Sequence, residues 1–261
     1  MGVRRFGRIN WLGLWTLYVR EVRRFMNVAT QTVVAPVATA GLFMLVFTLA
    51  FAARRGDAGG VPFEHFLAPG ILMMTVIQNA FANTSSSMGI AKVQGNIVDT
   101  LMPPLSPSEI LLGYIGGGVT RGLLCAVVVG AVIFPFIGLG VANPFWALVF
   151  ILLGSTMMAL MGLMTGIYAT KFDQMAAVTN FVITPLSFLS GTFYSISVLP
   201  EPFHTISPAN PFFYAIDGFR HGVLGSADAN PWVGLAILLL SNAALGYAAW
   251  SWLARGYRLK G

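Results

Sequence analysis

Six stretches of this chain, residues 32–53, 66–90, 109–139, 144–169, 175–198 and 231–254, each exceed twenty residues and together hold two charged side chains, Glu109 and Arg121. A helix rises 1.5 Å per residue, so about 20 apolar residues cross a hydrocarbon layer about 30 Å thick. In lipid every backbone N–H and C=O must be satisfied within the protein, which makes such stretches helices. The pattern therefore predicts an all-α membrane protein of six transmembrane helices. Composition agrees: 9% of residues are charged, against about 25% in soluble domains. An ordinary soluble enzyme, a disordered chain and a coiled coil are excluded.

The boundaries carry local signals. Ser106-Pro107-Ser108-Glu109 reads as a capping box with Pro at the first helical position. Asn143-Pro144 and Asn230-Pro231 repeat a cap-then-Pro device before the fourth and sixth spans, and Asp173 is placed to cap the fifth. Pro36, Pro135 and Pro185 fall within or near the ends of spans and predict kinks. No internal repeat stands out.

The charges sort by side. With six spans both termini share one side, which holds eleven bases (Arg4, Arg5, Arg8, Arg20, Arg23, Arg24, Lys92, Lys171, Arg255, Arg258, Lys260) and four acids (Glu21, Asp99, Glu109, Asp173). The other side holds three bases (Arg54, Arg55, Arg220) and five acids (Glu64, Asp57, Glu201, Asp217, Asp228), leaving Arg121 between. The Lys/Arg excess marks the cytoplasmic side, so both termini are expected there. The basic pI of about 9.8 then records orientation, and no nucleic-acid partner is needed to explain it.

Residues 1–30 lack the apolar core and small-residue cleavage site of a signal peptide. Trp11, Trp15, Tyr18, Val22 and Phe25 recur at helical spacing, with Thr16, Arg20, Arg23 and Asn27 opposite. This predicts an amphipathic helix in the membrane interface, either anchoring the first span or meeting a partner. With a six-span bundle over 32–254 and a tail at 255–261, the chain reads as a single domain.

Candidate chemistry is sparse. No G-x-x-x-x-G-K-[ST] loop occurs and no Lys follows a Gly, so nothing here cradles a nucleotide phosphate. His65, His204 and His221 lack metal-ligand spacing, so no metal and no cofactor is expected in this chain. Cys125 sits in an apolar run, as a packing residue does. Gly113/Gly117, Gly118/Gly122 and Gly162/Gly166 have the spacing that lets helices approach closely.

Two connections stand out. Residues 94–102 are short, mixed in polarity and compatible with a helix, ended by Pro103-Pro104. They form either an ordinary loop or a short surface helix able to transmit a push from a cytosolic partner. Residues 188–220 are too apolar and aromatic for a free loop, which suggests an external re-entrant helical hairpin covered by protein. Asp217 and Arg220 are spaced to pair within it.

Two blocks bring a family into view. Gln94-Gly95-Asn96, Leu101, Pro104-Leu105-Ser106 and Glu109-Ile110-Leu111-Leu112-Gly113 form one; Leu189-Ser190-Gly191, Phe193-Tyr194, Leu199-Pro200, Asn210-Pro211 and Gly218-Phe219-Arg220 form the other. With the basic amphipathic N-terminus and six spans, the chain resembles the ABC-2-type permeases, the membrane subunits of bacterial ABC exporters, along essentially its whole length. The resemblance implies a homodimer in the bacterial inner membrane, driven by two copies of a separate ATPase subunit that holds ATP and Mg. It also implies that the 94–102 segment is a coupling helix docked on that ATPase, through Lys92, Gln94, Asn96, Asp99, Thr100, Met102 and Pro103. Lys92 and Asp99 are its only charges, so its docking is weakly electrostatic.

Under this reading Phe193, Tyr194 and Phe213 line or brace an outer gate, while Gln78, Asn79, Asn83, Thr84 and Arg121 are candidates for a cleft. Arg121, the one base within a span, either snorkels or pairs in the dimer, or meets substrate. The walls suit an amphiphile, a lipid-linked glycan or a hydrophobic drug, and export is the implied direction. Two other classes compete. An intramembrane serine protease finds support only in Ser190-Gly191 and His221, with Phe188 where its G-x-S-G run needs Gly. An ion-coupled carrier wants charges at mid-membrane, where Arg121 stands alone.

Overall fold

The computed structural model describes residues 9–51, 61–196 and 207–259. Arg4, Arg5, Arg8, Arg54, Arg55, Asp57, Glu201, His204, Lys260, the ends of the first and fifth predicted spans and the middle of the predicted hairpin lie outside the described residues. In chain order the α-helices are α1 (Trp11–Met26), α2 (Ala35–Phe51), α3 (Phe63–Val93), α4 (Ile97–Leu101), α5 (Pro107–Ile137), α6 (Pro144–Tyr168), α7 (Phe172–Val178), α8 (Thr184–Phe188), α9 (Pro211–Leu224) and α10 (Pro231–Arg255).

Five helical segments are long and apolar enough to cross a membrane: Thr30–Ala50, Phe63–Val93, Pro107–Ile137, Pro144–Tyr168 and Pro231–Arg255. The fifth predicted stretch is a shorter, composite element. α7, a π-helical turn at Thr179–Ile183 and α8 follow without a break, giving 17 helical residues that end at Phe188. The chain then turns, with Gly191 at φ +71°. Met175 at the start of this element packs over Gly89 of α3, and Thr192 just beyond its end meets Gly70. Those two glycines are about 28 Å apart along α3, so the composite element runs antiparallel to α3 over most of its length.

The expected caps form. Ser106 Oγ accepts from Glu109 N–H while Glu109 Oε2 accepts from Ser106 N–H at 2.6 Å, and Asn143 and Asn230 cap α6 and α10 ahead of their prolines. Asn210-Pro211 starts α9 in the same way. Asp173 does not cap: α7 starts one residue before it, and Gln174 Oε1 accepts the Thr170 N–H at 2.8 Å instead.

Proline placement reveals a repeat invisible to a reading by composition. Residues 30–37 read Thr-Gln-Thr-Val-Val-Ala-Pro-Val and residues 179–186 read Thr-Asn-Phe-Val-Ile-Thr-Pro-Leu. Each opens with a five-residue π turn starting at the Thr, closed by an N–H five residues on, with the Pro one residue further. Proline clashes with the carbonyl four residues back and gives it no donor. The wider turn makes room, and the freed Thr32 carbonyl is met by Cys125 Sγ at 3.6 Å.

α3 and α6 are the inner helices, with 78% and 61% of their most apolar windows buried, whereas α2 and α10 remain largely exposed. All three glycine pairs lie at helix contacts. Gly162 and Gly166 of α6 face the Phe81 and Ser85 carbonyls of α3, Gly118 and Gly122 of α5 meet Ala159 and Ser155 of α6, and Gly113 and Gly117 of α5 receive Leu17 and Glu21 of α1.

The bundle has two distinct ends. Leu17, Ile97, Ile110, Ile167, Leu253 and Leu259 cluster at one, which joins α1, α4, the start of α5 and the ends of α6 and α10. At the other, His65 Nε2 lies 3.2 Å from the Ile137 carbonyl, and the Ala142 and Asn143 N–H groups donate to Val223 and Gly222 carbonyls of α9.

Candidate functional site

At the first end, α1 is more than an anchor. Leu17, Glu21 and Phe25 are buried along one stripe, and Asn10 ahead of the helix donates its N–H to Glu109 Oε1 at 2.6 Å. The same carboxylate thus caps α5 and holds the start of α1. Of the predicted apolar face, Tyr18 and Phe25 turn inward while Trp11 and Trp15 are exposed.

Glu21, one of the four acids on the side with the Lys/Arg excess, is fully buried. Its carboxylate accepts from Ser87 Oγ of α3 at 2.8 Å and pairs with Arg20 at 3.0 Å and Arg24 at 3.5 Å. A buried charge of this kind requires its partners. Arg20 also donates to Thr100 Oγ1 of α4 at 2.9 Å and to Tyr114 Oη of α5 at 3.1 Å. Arg24 donates to the Asn83 carbonyl at 2.7 Å, to Asn83 Oδ1 at 2.9 Å and to Ser86 Oγ at 3.2 Å. Two arginines and one carboxylate on α1 therefore join α3, α4 and α5. Sequence reading missed Glu21 and Tyr114 as members, although a Glu on the stripe set by Leu17 and Phe25 is itself the signal of a buried charge.

The 94–102 segment contains a short helix, α4. Gln94, Asn96, Val98, Asp99, Leu101, Met102 and Pro103 face outward, with Met102 77% exposed. Thr100 and Ile97 face inward. Lys92 borders that surface, but its ammonium is engaged within the chain, donating to the Ile167 and Ala169 carbonyls at the end of α6. Of the candidate contact residues, Lys92 and Thr100 are thus engaged within the protomer.

Among the cleft candidates, Asn83 and Thr84 are fully buried, Thr84 Oγ1 donating to the Ala159 carbonyl of α6 at 2.7 Å. Gln78, Asn79 and Arg121 keep partial exposure. Arg121 Nε and Nη2 donate to Asn79 Oδ1 at 3.2 and 3.0 Å, so these two form one polar unit across α3 and α5.

At the second end the gate candidates divide. Phe193 stacks on Phe47 with centroids 4.5 Å apart and on Phe188 at 5.2 Å. Tyr194 is partly exposed, whereas Phe213 is buried in the core against Tyr214. Beneath them Arg220 pairs with Asp217 at 3.3 Å, donates to the Gly191 carbonyl at 2.6 Å and lies 3.9 Å over the Phe66 ring. Asp217 also accepts the N–H groups of Asp228 and Ala229, at 3.0 and 2.9 Å. Burial raises the Asp217 pKa, against the opposing pull of Arg220 and these two donors. Asp228 in turn accepts from Ser195 Oγ and Ile196 N–H. The expected Asp217–Arg220 pair is one link in a network joining α9 to the preceding turn and the following loop.

Ser190 and His221 are separately occupied. Ser190 Oγ donates to the Leu186 carbonyl and accepts from Asn210, and the His221 ring packs on Trp146. Among the described residues no three His, Cys, Asp or Glu side chains gather as a metal site.

A bundle of long apolar helices with an amphipathic helix clamped to a short exposed one defines a polytopic helical membrane protein. Residues 13–224 match the family model for the ABC-2 type transporter, and the chain belongs to that family. It is 37% identical over 250 residues to the inner membrane transport permease YadH of Escherichia coli K12, covering 96% of this chain and 98% of that one. It is also similar to nodulation protein J of Rhizobium leguminosarum biovar viciae, 23% identical over 235 residues and 90% of each chain.

Proposed function

We propose that this chain is the membrane subunit of an ATP-driven exporter of the bacterial inner membrane, working as a homodimer on two copies of a separate ABC ATPase that binds ATP and Mg. The observation carrying this reading is α4: a short helix that offers Val98, Leu101 and Met102 outward while its inner face is tied through Thr100 to Arg20. Closure of the ATPase dimer pushes on this helix, and the push passes to α1, α3 and α5.

The composite α7–α8 element supplies a sixth crossing, which puts both termini on one side. Arg20, Arg23, Arg24, Lys92, Lys171, Arg255 and Arg258 all lie at the α1 end, supporting a cytoplasmic assignment for it. The hairpin reading is supported by α9, where Ala215 meets Gly154, about 15 Å along α6 from Pro144. Phe193 and Tyr194 then line the outer gate, with Phe213 bracing it from the core. Gln78, Asn79 and Arg121 border the cleft, and the cargo is amphiphilic, lipid-linked or hydrophobic.

The test is co-purification with a co-expressed ABC ATPase encoded beside this chain, with hydrolysis measured with and without the permease. Stable association and permease-dependent hydrolysis are expected, and Met102→Glu should weaken association at least tenfold without lowering the melting temperature. No association with any such ATPase would overturn the reading.

A further inference from the structure

A groove of about 570 Å³ runs along α1, lined by Trp15, Thr16, Val19, Arg20, Arg23, Arg24 and Asn27. Three arginines border it. The carboxylate that pairs with Arg20 and Arg24 is Glu21, which is buried on the inner face of the helix. Arg23 is exposed and has no ion pair or hydrogen bond among the described residues. The groove thus carries more positive charge than its own protein contacts neutralise. Its flank is apolar and aromatic: Trp11 is 68%, Leu12 73% and Trp15 62% exposed. Indole rings of this kind seat at headgroup depth, where the apolar face of an interfacial helix enters the acyl boundary. Guanidinium forks match phosphate oxygens in pairs.

We infer that this groove binds the phosphate of an anionic phospholipid in the leaflet facing the α1 end. Arg23 makes the first contact, Arg20 and Arg24 close the sides with the donors their internal bonds leave free, and Trp15 and Leu12 lie along the acyl chains. Arg20 also holds Thr100, so the bound headgroup sits directly behind α4. The choice of inner leaflet rests on the orientation proposed above; the lipid preference does not.

The full chain, purified in detergent and delipidated, is titrated with phosphatidylglycerol, with phosphatidylcholine and with inorganic phosphate, and bound molecules are counted by native mass spectrometry. Phosphatidylglycerol should bind in preference to phosphatidylcholine. Arg23→Gln should weaken phosphatidylglycerol about fivefold, the effect of one base at a membrane surface, and Arg255→Gln, an exposed base at the same end, should leave it unchanged. Arg23 is exposed and makes no side-chain hydrogen bond or ion pair among the described residues, so the variant should fold; an unchanged melting temperature checks this. Equal binding of the two lipids, an equal loss in Arg255→Gln, or displacement of phosphatidylglycerol by equimolar inorganic phosphate would each overturn the inference. The measurement uses neither the ATPase nor sidedness, so its failure is separate from a failure of the transport reading.

Discussion

Arg20 of the interfacial helix donates a 2.9 Å hydrogen bond to Thr100 on the buried side of α4. The same guanidinium holds Glu21, whose carboxylate reaches Ser87 of α3. The exposed short helix α4 and the inner helix α3 are therefore joined by three consecutive bonds, Thr100–Arg20, Arg20–Glu21 and Glu21–Ser87.

Thr100→Val removes the α4 end of this chain while keeping its volume. The expected cost is about 1 kcal/mol of stability, with ATPase binding intact and transport per ATP hydrolysed reduced. A reconstituted assay reporting both quantities checks it; loss of both in proportion would argue against a transmitting role. Arg20→Gln should cost more than Thr100→Val, because it removes one of the two arginines that pair with the buried Glu21 carboxylate.

Glycine positions separate contact from mere spacing. A Cβ on Gly162 would lie 2.4 Å from the Phe81 carbonyl, whereas one on Gly41 meets nothing within 4 Å. Gly162→Val should force α3 and α6 apart at about 1–3 kcal/mol or more and lower folded yield. Gly41→Ala should be neutral or slightly stabilising. Thermal unfolding in one detergent compares them directly.

The Asp217–Arg220 pair is inaccessible, at 2% exposure on each side. Asp217→Asn leaves Arg220 buried without its counter-charge and should destabilise the second end by about 3–5 kcal/mol. Limited proteolysis should show earlier cleavage between α8 and α9 than in the parent. Unchanged protease resistance would show that the network is not what holds that segment.

Arg121 and Asn79 are joined by two hydrogen bonds across α3 and α5. α5 is 31 residues long, about 46 Å, so some 16 Å of it extends beyond a 30 Å hydrocarbon layer. If that excess lies at the α1 end, Arg121 stands close to the inner interface. Arg121→Leu should therefore fold and assemble but transport less, and Asn79→Leu should reproduce the defect. Full transport in both variants would remove the pair from the cleft.

Much of this was legible beforehand. The capping box at Ser106–Glu109, the Asn-Pro helix starts, the helical character of 97–101 and the Asp217–Arg220 pair follow from short-range rules, which act within one turn. Less legible was the fifth stretch. Its hydropathy marks an apolar segment that continues to residue 198, whereas the continuous helix ends at Phe188 and the chain then turns at Gly191, and hydropathy does not report where a helix stops. The burial of Glu21 was not legible either: counting charges by side does not report burial, and only its contacts with Ser87, Arg20 and Arg24 reveal it.

By itself, then, the sequence determined that this chain is a helical membrane protein, where its helices begin, and which end carries the positive charge. Each of these depends on residues close together in the chain, or on a sum over them. Tertiary structure alone decided which partners meet. Gly113/Gly117, Gly118/Gly122 and Gly162/Gly166 share one spacing but receive α1, α6 and α3 respectively, because a glycine stripe permits close approach without naming the helix that approaches. Arg20, Thr100, Tyr114 and Ser87 likewise come from four helices, and only packing brings them to one carboxylate and its arginine.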